Sequence, residues 1–246
     1  MTRYKLLIEY DGSPFVGWQR QENGLSVQES IEKSISELFQ EQVTVFGAGR
    51  TDAGVHAMGQ VGHFDILEKY LDPQTVTNGL NNYLRQYPVS IIKTEEVDES
   101  FHARFSAKER KYLYRIINRQ SPLTFEKGRA WHIYKDLDVD KMVECIPMIK
   151  GKHDFTTFRS AHCQSESPVK TLKEINITRG TEDICFGFVA QSFLHHQIRS
   201  IVGSLKLVGE MTWSPEYVQK VLDAKDRSKC GALAPPDGLY FMGVKY

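Results

Sequence analysis

Gly47-Ala48-Gly49-Arg50-Thr51-Asp52-Ala53-Gly54-Val55-His56-Ala57 is the segment with the greatest chemical potential in this chain. It sets one carboxylate, Asp52, beside one guanidinium, Arg50, where three glycines would let the backbone crowd a ligand. An apolar run, Val43-Thr44-Val45-Phe46, leads in, and Gln60-Val61-Gly62-His63-Phe64 alternates on the way out. In a strand-like stretch, residues two apart share a face, so Arg50 and Asp52 point the same way. Two glycine-rich readings fail. The dinucleotide fingerprint needs glycine three residues after Gly49, where Asp52 stands. The phosphate loop needs Gly-Lys-Ser/Thr, and no lysine lies between Gly47 and His56. A tight turn carrying a solvated Arg-Asp pair is the plain alternative.

Other residues have two readings each. Tyr112 and Tyr114 fall on one strand face, suited either to core packing or to stacking on an unpaired base. Arg199 projects from a helix bearing Ile198 and Ile201, where it either pairs with an acid or reaches out to solvent. From His102 to Arg119, the bases Arg104, Lys108, Arg110, Lys111, Arg115 and Arg119 face only Glu109, just after the acidic run Glu95-Glu96-Val97-Asp98-Glu99. A solvated strand face explains such a cluster; its segregation from the acids favours a phosphate-facing surface.

The positioning elements follow from pattern. Val27, Ile31, Ile35 and Phe39 recur every four residues, and Ser26 with Glu29 forms a capping box, which predicts a helix over 26–39. Ile198, Ile201, Val202, Leu205 and Val208 predict a second helix, and Ser214-Pro215 opens a third carrying Val218, Val221 and Leu222. Met142, Val143 and Ile146 predict another, stopped or kinked near Pro147. Strands are expected at 4–10, 43–48, 59–65, 89–97, 111–117, 172–178, 183–193 and 239–245. Strand-helix-strand-strand-helix-strand fits the first half, and a looser version fits the second. The expected class is α+β, two halves (1–105 and 106–246) with an antiparallel sheet and helices on one face in each.

Composition narrows the function classes. The 246 residues suffice for one large domain or two modest ones, and 41% are hydrophobic. No apolar run approaches the roughly 18 residues of a membrane span. The alternating Tyr4-Lys5-Leu6-Leu7-Ile8-Glu9-Tyr10 opens the chain in place of a secretory signal. Cys145, Cys163, Cys185 and Cys230 are spread without a C-x-x-C pair, which fits reduced thiols in a cytoplasmic protein rather than a zinc site or disulfide frame. Lys plus Arg equal Asp plus Glu at 31 each, so any affinity for nucleic acid depends on charge distribution.

Five ordered motifs resemble those of tRNA pseudouridine synthases of the A type. They are Tyr10-Asp11-Gly12-Ser13 with Phe15 and Gly17-Trp18-Gln19-Arg20-Gln21; the loop 47–57; Phe101-His102-Ala103-Arg104-Phe105-Ser106-Ala107 with Lys111-Tyr112-Leu113-Tyr114; Phe193-Leu194-His195-His196-Gln197-Ile198-Arg199 with Ile201-Val202-Gly203-Ser204; and Ala234-Pro235-Pro236 with Gly238-Leu239-Tyr240. The resemblance implies a pseudouridine synthase fold with a catalytic cleft between the halves, and a homodimer. It implies isomerisation of uridines 38, 39 and 40 in the anticodon stem-loop of tRNA, without cofactor or metal. Asp52 is then the nucleophile. It could add to C6 of the base, attack C1′ of the ribose, or abstract a proton. Arg199 pairs with it, Tyr112 lies against the uracil, Leu239 completes the pocket wall, and Arg50 enters the RNA stem to help turn out the target. His56, His195 and His196 are read as structural or RNA-contacting. One departure is Lys170, where the family more often has arginine; lysine supplies charge without the bidentate fork. Rival readings are a related tRNA specificity, a non-catalytic RNA binder, and a glycoside-cleaving enzyme. The last would need a second carboxylate, for which Glu9 and Asp11 are the nearest candidates.

Overall fold

The computed structural model describes all residues, 1–246, and its contacts divide them into two compact units. The first comprises Met1–Lys108 together with Tyr240–Tyr246, and the second Glu109–Leu239.

Unit 1 runs β1 (Thr2–Tyr10), α1 (Val27–Phe39), β2 (Phe46–Gly47), β3 (His56–Ile66), α2 (Pro73–Leu84) and β4 (Val89–Val97). The sheet order is β4-β1-β3, both pairings antiparallel, with β2 short against β3. Alternation along β1 buries Tyr4, Leu6, Ile8 and Tyr10 and leaves Arg3, Lys5 and Glu9 on the other face. Onto that apolar face α1 lays Val27, Ile31, Ile35 and Phe39, all buried. Phe39 and Phe64 pack on Tyr4 with ring centres 5.9 and 5.4 Å away. Each such side chain contributes about 1.5–3 kcal/mol of burial. Both helix starts are fastened by side chains. Ser26 Oγ accepts from Glu29 N at 3.1 Å, as the capping box predicts, and Asp72 Oδ1 accepts from Gln74 N and Thr75 N ahead of Pro73.

The expected strand over 43–48 is realised only at Phe46–Gly47. Residues 43–45 do not join a ladder, because side chains of α1 take the backbone groups of Val45: its N–H donates to Glu32 and its carbonyl accepts from Gln28 Nε2.

Unit 2 runs β5 (Glu109–Asn118), β6 (Trp131–Ile133), α3 (Val139–Glu144), α4 (Ile146–Ile149), β7 (Gly151–Asp154), β8 (Val169–Arg179), β9 (Asp183–Ala190), α5 (Gln197–Gly209) and α6 (Pro215–Asp223). Its strands are ordered β5-β9-β8-β7, antiparallel throughout. The break foreseen at Pro147 separates α3 from α4. β9 ends at Ala190, three residues before the expected end, where the chain turns toward α5. A final strand, β10 (Leu239–Lys245), returns to unit 1 and pairs with β3 through Tyr240↔His56 and Phe241↔Ala57. This pairing is parallel, as is β6 with β5, so parallel ladders supplement the antiparallel sheets. A parallel neighbour cannot arrive by a hairpin, and β10 comes only after the whole of unit 2.

α5 approaches the strap 231–234 closely. A Cβ on Gly203 would stand 1.8 Å from the Ala232 carbonyl oxygen. Glycine to alanine inside a helix ordinarily stabilises by close to 1 kcal/mol. Here the clash reverses the sign. Gly203→Ala is expected to destabilise by about 1–3 kcal/mol and to lower Tm by several degrees in a thermal melt. A Tm at or above wild type would mean that the strap yields freely.

Candidate active site

Asp52 sits on the loop between β2 and β3, half-buried, with exposed Arg50 and buried Thr51 beside it. The alternation is as the sequence suggests. What holds the loop is the segment 17–18. Gly17 and Asp52 form an isolated antiparallel bridge, and Trp18 N donates to the Thr51 carbonyl at 3.1 Å. A Cβ on Gly17 would meet that carbonyl at 2.7 Å, and Gly17 has a φ of 119° that side chains avoid. Buried Trp18 lies where a side chain on Gly47 would go, 2.5 Å from that Cβ position. Gly47 thus makes room for an indole of the protein itself rather than for a ligand, which corrects the expectation for this glycine.

Two further groups brace the loop from beneath. Tyr10 Oη and Thr51 Oγ1 share a hydrogen bond of 2.8 Å, and Gln60 Nε2 donates to the Gly49 carbonyl at 2.9 Å. Burial pushes the Tyr10 phenol up to about 12, so it stays protonated and available as a donor at neutral pH. A fully buried glutamine inside the apolar β3 was the available sequence signal for Gln60. His56, also buried on β3, accepts from Gly12 N through Nδ1 at 3.1 Å and stacks on Tyr240, ring centres 4.8 Å apart. Those contacts are structural.

Tyr112, Arg199 and Leu239 belong to unit 2. Tyr112 is buried on β5 and meets the Phe193 ring edge-on at 5.1 Å. Arg199, the third residue of α5, sends Nε to the Ala234 carbonyl at 2.8 Å, while its own carbonyl accepts from Ala234 N at 3.2 Å. A cation in the first turn of a helix opposes the dipole, so its place needs some other reason. The same strap continues to Pro235, whose carbonyl accepts from Tyr114 Oη at 2.8 Å, and then to buried Leu239. Burial raises the Tyr114 phenol far above its ordinary range, against an opposing pull from nearby Arg199. Residues 234–239 therefore tie Arg199, Tyr114 and Leu239 to one segment. The entry to α5 is strained: His196 adopts a left-handed backbone, φ 68°, immediately before the helix.

The basic cluster divides. Arg110 is buried on β5 and donates to the Gln191 carbonyl. Arg115 pairs with Glu126 and Asp183 at 2.8 and 2.9 Å, and Arg119 with Glu182 at 2.8 Å. Arg104, Lys108 and Lys111 remain exposed. Arg110, Arg115 and Arg119 are committed to partners within the protein, so the expected cluster over 104–119 does not stand exposed as a whole.

The family model for tRNA pseudouridine synthase matches residues 6–106 and 146–246. Arg50, Asp52, Arg199 and Leu239 lie inside the matched spans and Tyr112 between them. Proteins named tRNA pseudouridine synthase A are similar along essentially their whole length. The one from Parvibaculum lavamentivorans is 53% identical over 246 residues, covering 100% of both chains. That from Rhizobium meliloti is 55% identical over 248 residues, again covering 100% of each, and that from Ehrlichia canis 51% over 245, covering 99% of this chain and 100% of its own. With more than half of its residues matched by that model and relatives this similar end to end, the chain belongs to the tRNA pseudouridine synthase family.

Proposed function

We propose that this protein converts uridine to pseudouridine at positions 38, 39 and 40 of the tRNA anticodon stem-loop, with Asp52 as nucleophile. The observation that carries the reading is a single acid on a loop fastened by main-chain bonds from Gly17 and Trp18, in a chain of this family. In the reaction the N1–C1′ glycosidic bond breaks, the uracil turns, and C5 joins C1′. The C5 proton leaves and N1 gains one, so the atoms balance without an oxidant or reductant. Such a reaction needs a positioned carboxylate shielded from water. An ionised Asp52 in such a place requires a nearby cation, for which Arg199 is the proposed partner. Tyr112 supplies a ring to lie against the base, Leu239 an apolar wall, and Arg50 the group that enters the stem. A carboxylate facing a polyanion is a burden to a pure RNA binder, which favours catalysis over that rival. The resemblance also supports a homodimer acting in the cytoplasm; no helix is long and apolar enough to cross a membrane.

Asp52→Asn keeps the shape and removes the nucleophile. Pseudouridine formation, followed by mapping on purified tRNA, should fall by at least about a thousandfold. The Kd for tRNA should stay within about threefold, under 1 kcal/mol. Turnover near wild type would remove Asp52 from the chemistry.

Phosphate contacts set the salt dependence of binding at close to 0.9 log units per contact. Replacing Arg104, Lys108 and Lys111 together with alanine should flatten the slope of log Kd against log salt by up to about 2.7. Alanine at Arg115 and Arg119, which are held in ion pairs, should leave that slope alone while lowering Tm. The reverse pattern would place the RNA elsewhere.

Extraction of a base costs a few kcal/mol and less where the base is mismatched. Arg50→Ala should therefore lose roughly one to two orders of magnitude in rate on a paired target. Part of the loss should return on a stem-loop with a mismatch at the target. Equal losses on both substrates would leave Arg50 as a simple charge contact.

A further inference from the structure

We infer that Glu32, on α1, is a positioning residue for the Asp52 loop, because its one carboxylate bonds both Arg20, close to the segment that pairs with that loop, and Val45, just before the loop's entrance. The inference rests on Asp52 being the reacting group. Glu32 is a buried charge, 6% exposed at the side chain, on a helix whose other buried positions are apolar or serine. A carboxylate placed there must be paired and hydrogen-bonded, or it destabilises the fold. Its Oε2 accepts from Arg20 Nη2, two residues past Trp18. Its Oε1 accepts from Val45 N at 2.9 Å, two residues before Gly47. Gln28, one turn earlier, completes the node. Its Nε2 donates to Glu32 Oε1 at 2.9 Å and to the Val45 carbonyl at 3.2 Å, while its Oε1 accepts from Arg20 N at 3.0 Å.

Of the two segments gripped in this way, one pairs with the loop and the other leads into it. Residues 17–18 are bonded on one side to that loop and on the other to the start of α1. There Val27 N donates to the Gly17 carbonyl at 3.1 Å and Gln28 N to the Trp18 carbonyl at 2.9 Å. Register at Asp52 is thus set from α1 by way of 17–20 and, at the loop's entrance, from Val45. Glu32 acts through the loop, by fixing where Asp52 stands.

Glu32→Gln tests this. The new amide oxygen can still accept from Val45 N, but its NH2 now faces the donors of Arg20, so the Glu32–Arg20 bond is lost while the bonds of Val27 and Gln28 to 17–20 remain. A misplacement near 1 Å at a reacting group costs on the order of a hundredfold. The expected result is a fall in kcat of roughly ten- to a hundredfold, read well below Tm on folded protein, with KM and tRNA Kd within about threefold. Glu29→Gln is the matched control. It removes an acid from the same helix, one that pairs with Lys33 and bonds the Ser26 backbone, and should keep wild-type kcat. A merely structural Glu32 would lower Tm and leave kcat per folded molecule unchanged, and that result would overturn the inference. Should Glu32→Gln fail to fold, Gln28→Leu weakens the same node without stranding a charge. It should lower kcat about three- to tenfold at constant KM; an unchanged kcat there also overturns it. Asp52→Asn in the same assay separates the two readings. An active Asp52→Asn removes both, whereas an inactive one beside a fully active Glu32→Gln removes the positioning role alone.

Discussion

The carboxylate proposed to react must be held still and yet stay within reach, and the main-chain pairing of Gly17 with Asp52 meets both demands. It fixes the loop by backbone rather than by side chain. Much of unit 1 converges on that pairing. The indole of Trp18 fills the space left by Gly47, Tyr10 and Gln60 reach up from the sheet, and the start of α1 closes over residues 17–18. Sites carried on loops owe their precision to the rigid elements beneath, and here the supports can be named residue by residue.

Unit 2 solves a different problem, that of keeping an arginine near the start of a helix. The dipole disfavours Arg199 in the first turn of α5. Two hydrogen bonds to one residue, Ala234, offset that penalty and aim the side chain. The close approach of Gly203 to Ala232 is what lets the strap lie near enough. A small residue on α5 and a cation four residues earlier are thus parts of one arrangement.

What the sequence disclosed depended on how local each cause is. The start of α1 was legible because Ser26 and Glu29 act within one turn, and β10 because a short run rich in aromatic and apolar residues opens directly after Pro235-Pro236 and Gly238. Val43–Val45 was misread as strand because its backbone partners are side chains thirteen or more residues back, invisible to periodicity. Arg115 and Arg119 looked like a nucleic-acid surface because Asp183 and Glu182 are more than sixty residues away. In the site, Arg50 and Asp52 declare themselves by type and spacing. The motif residues Gly17 and Trp18 did not reveal their role, since it consists in contacts with Thr51, Asp52 and Gly47 that only the fold creates.

The return of the last strand to unit 1 bears on the order in which the chain can be assembled during synthesis. Unit 2 is one continuous stretch, Glu109–Leu239, made between the bulk of unit 1 and its last strand. Unit 1 is made first but lacks a strand until the end. β3 waits at His56 and Ala57 for its parallel neighbour, and Ala103 and Lys108 for the Tyr246 hydroxyl and the Lys245 carbonyl. Through most of translation the sheet that carries the reactive loop therefore has an open edge, of the kind that invites wrong pairing. The half that is synthesised first is completed by some of the last residues made.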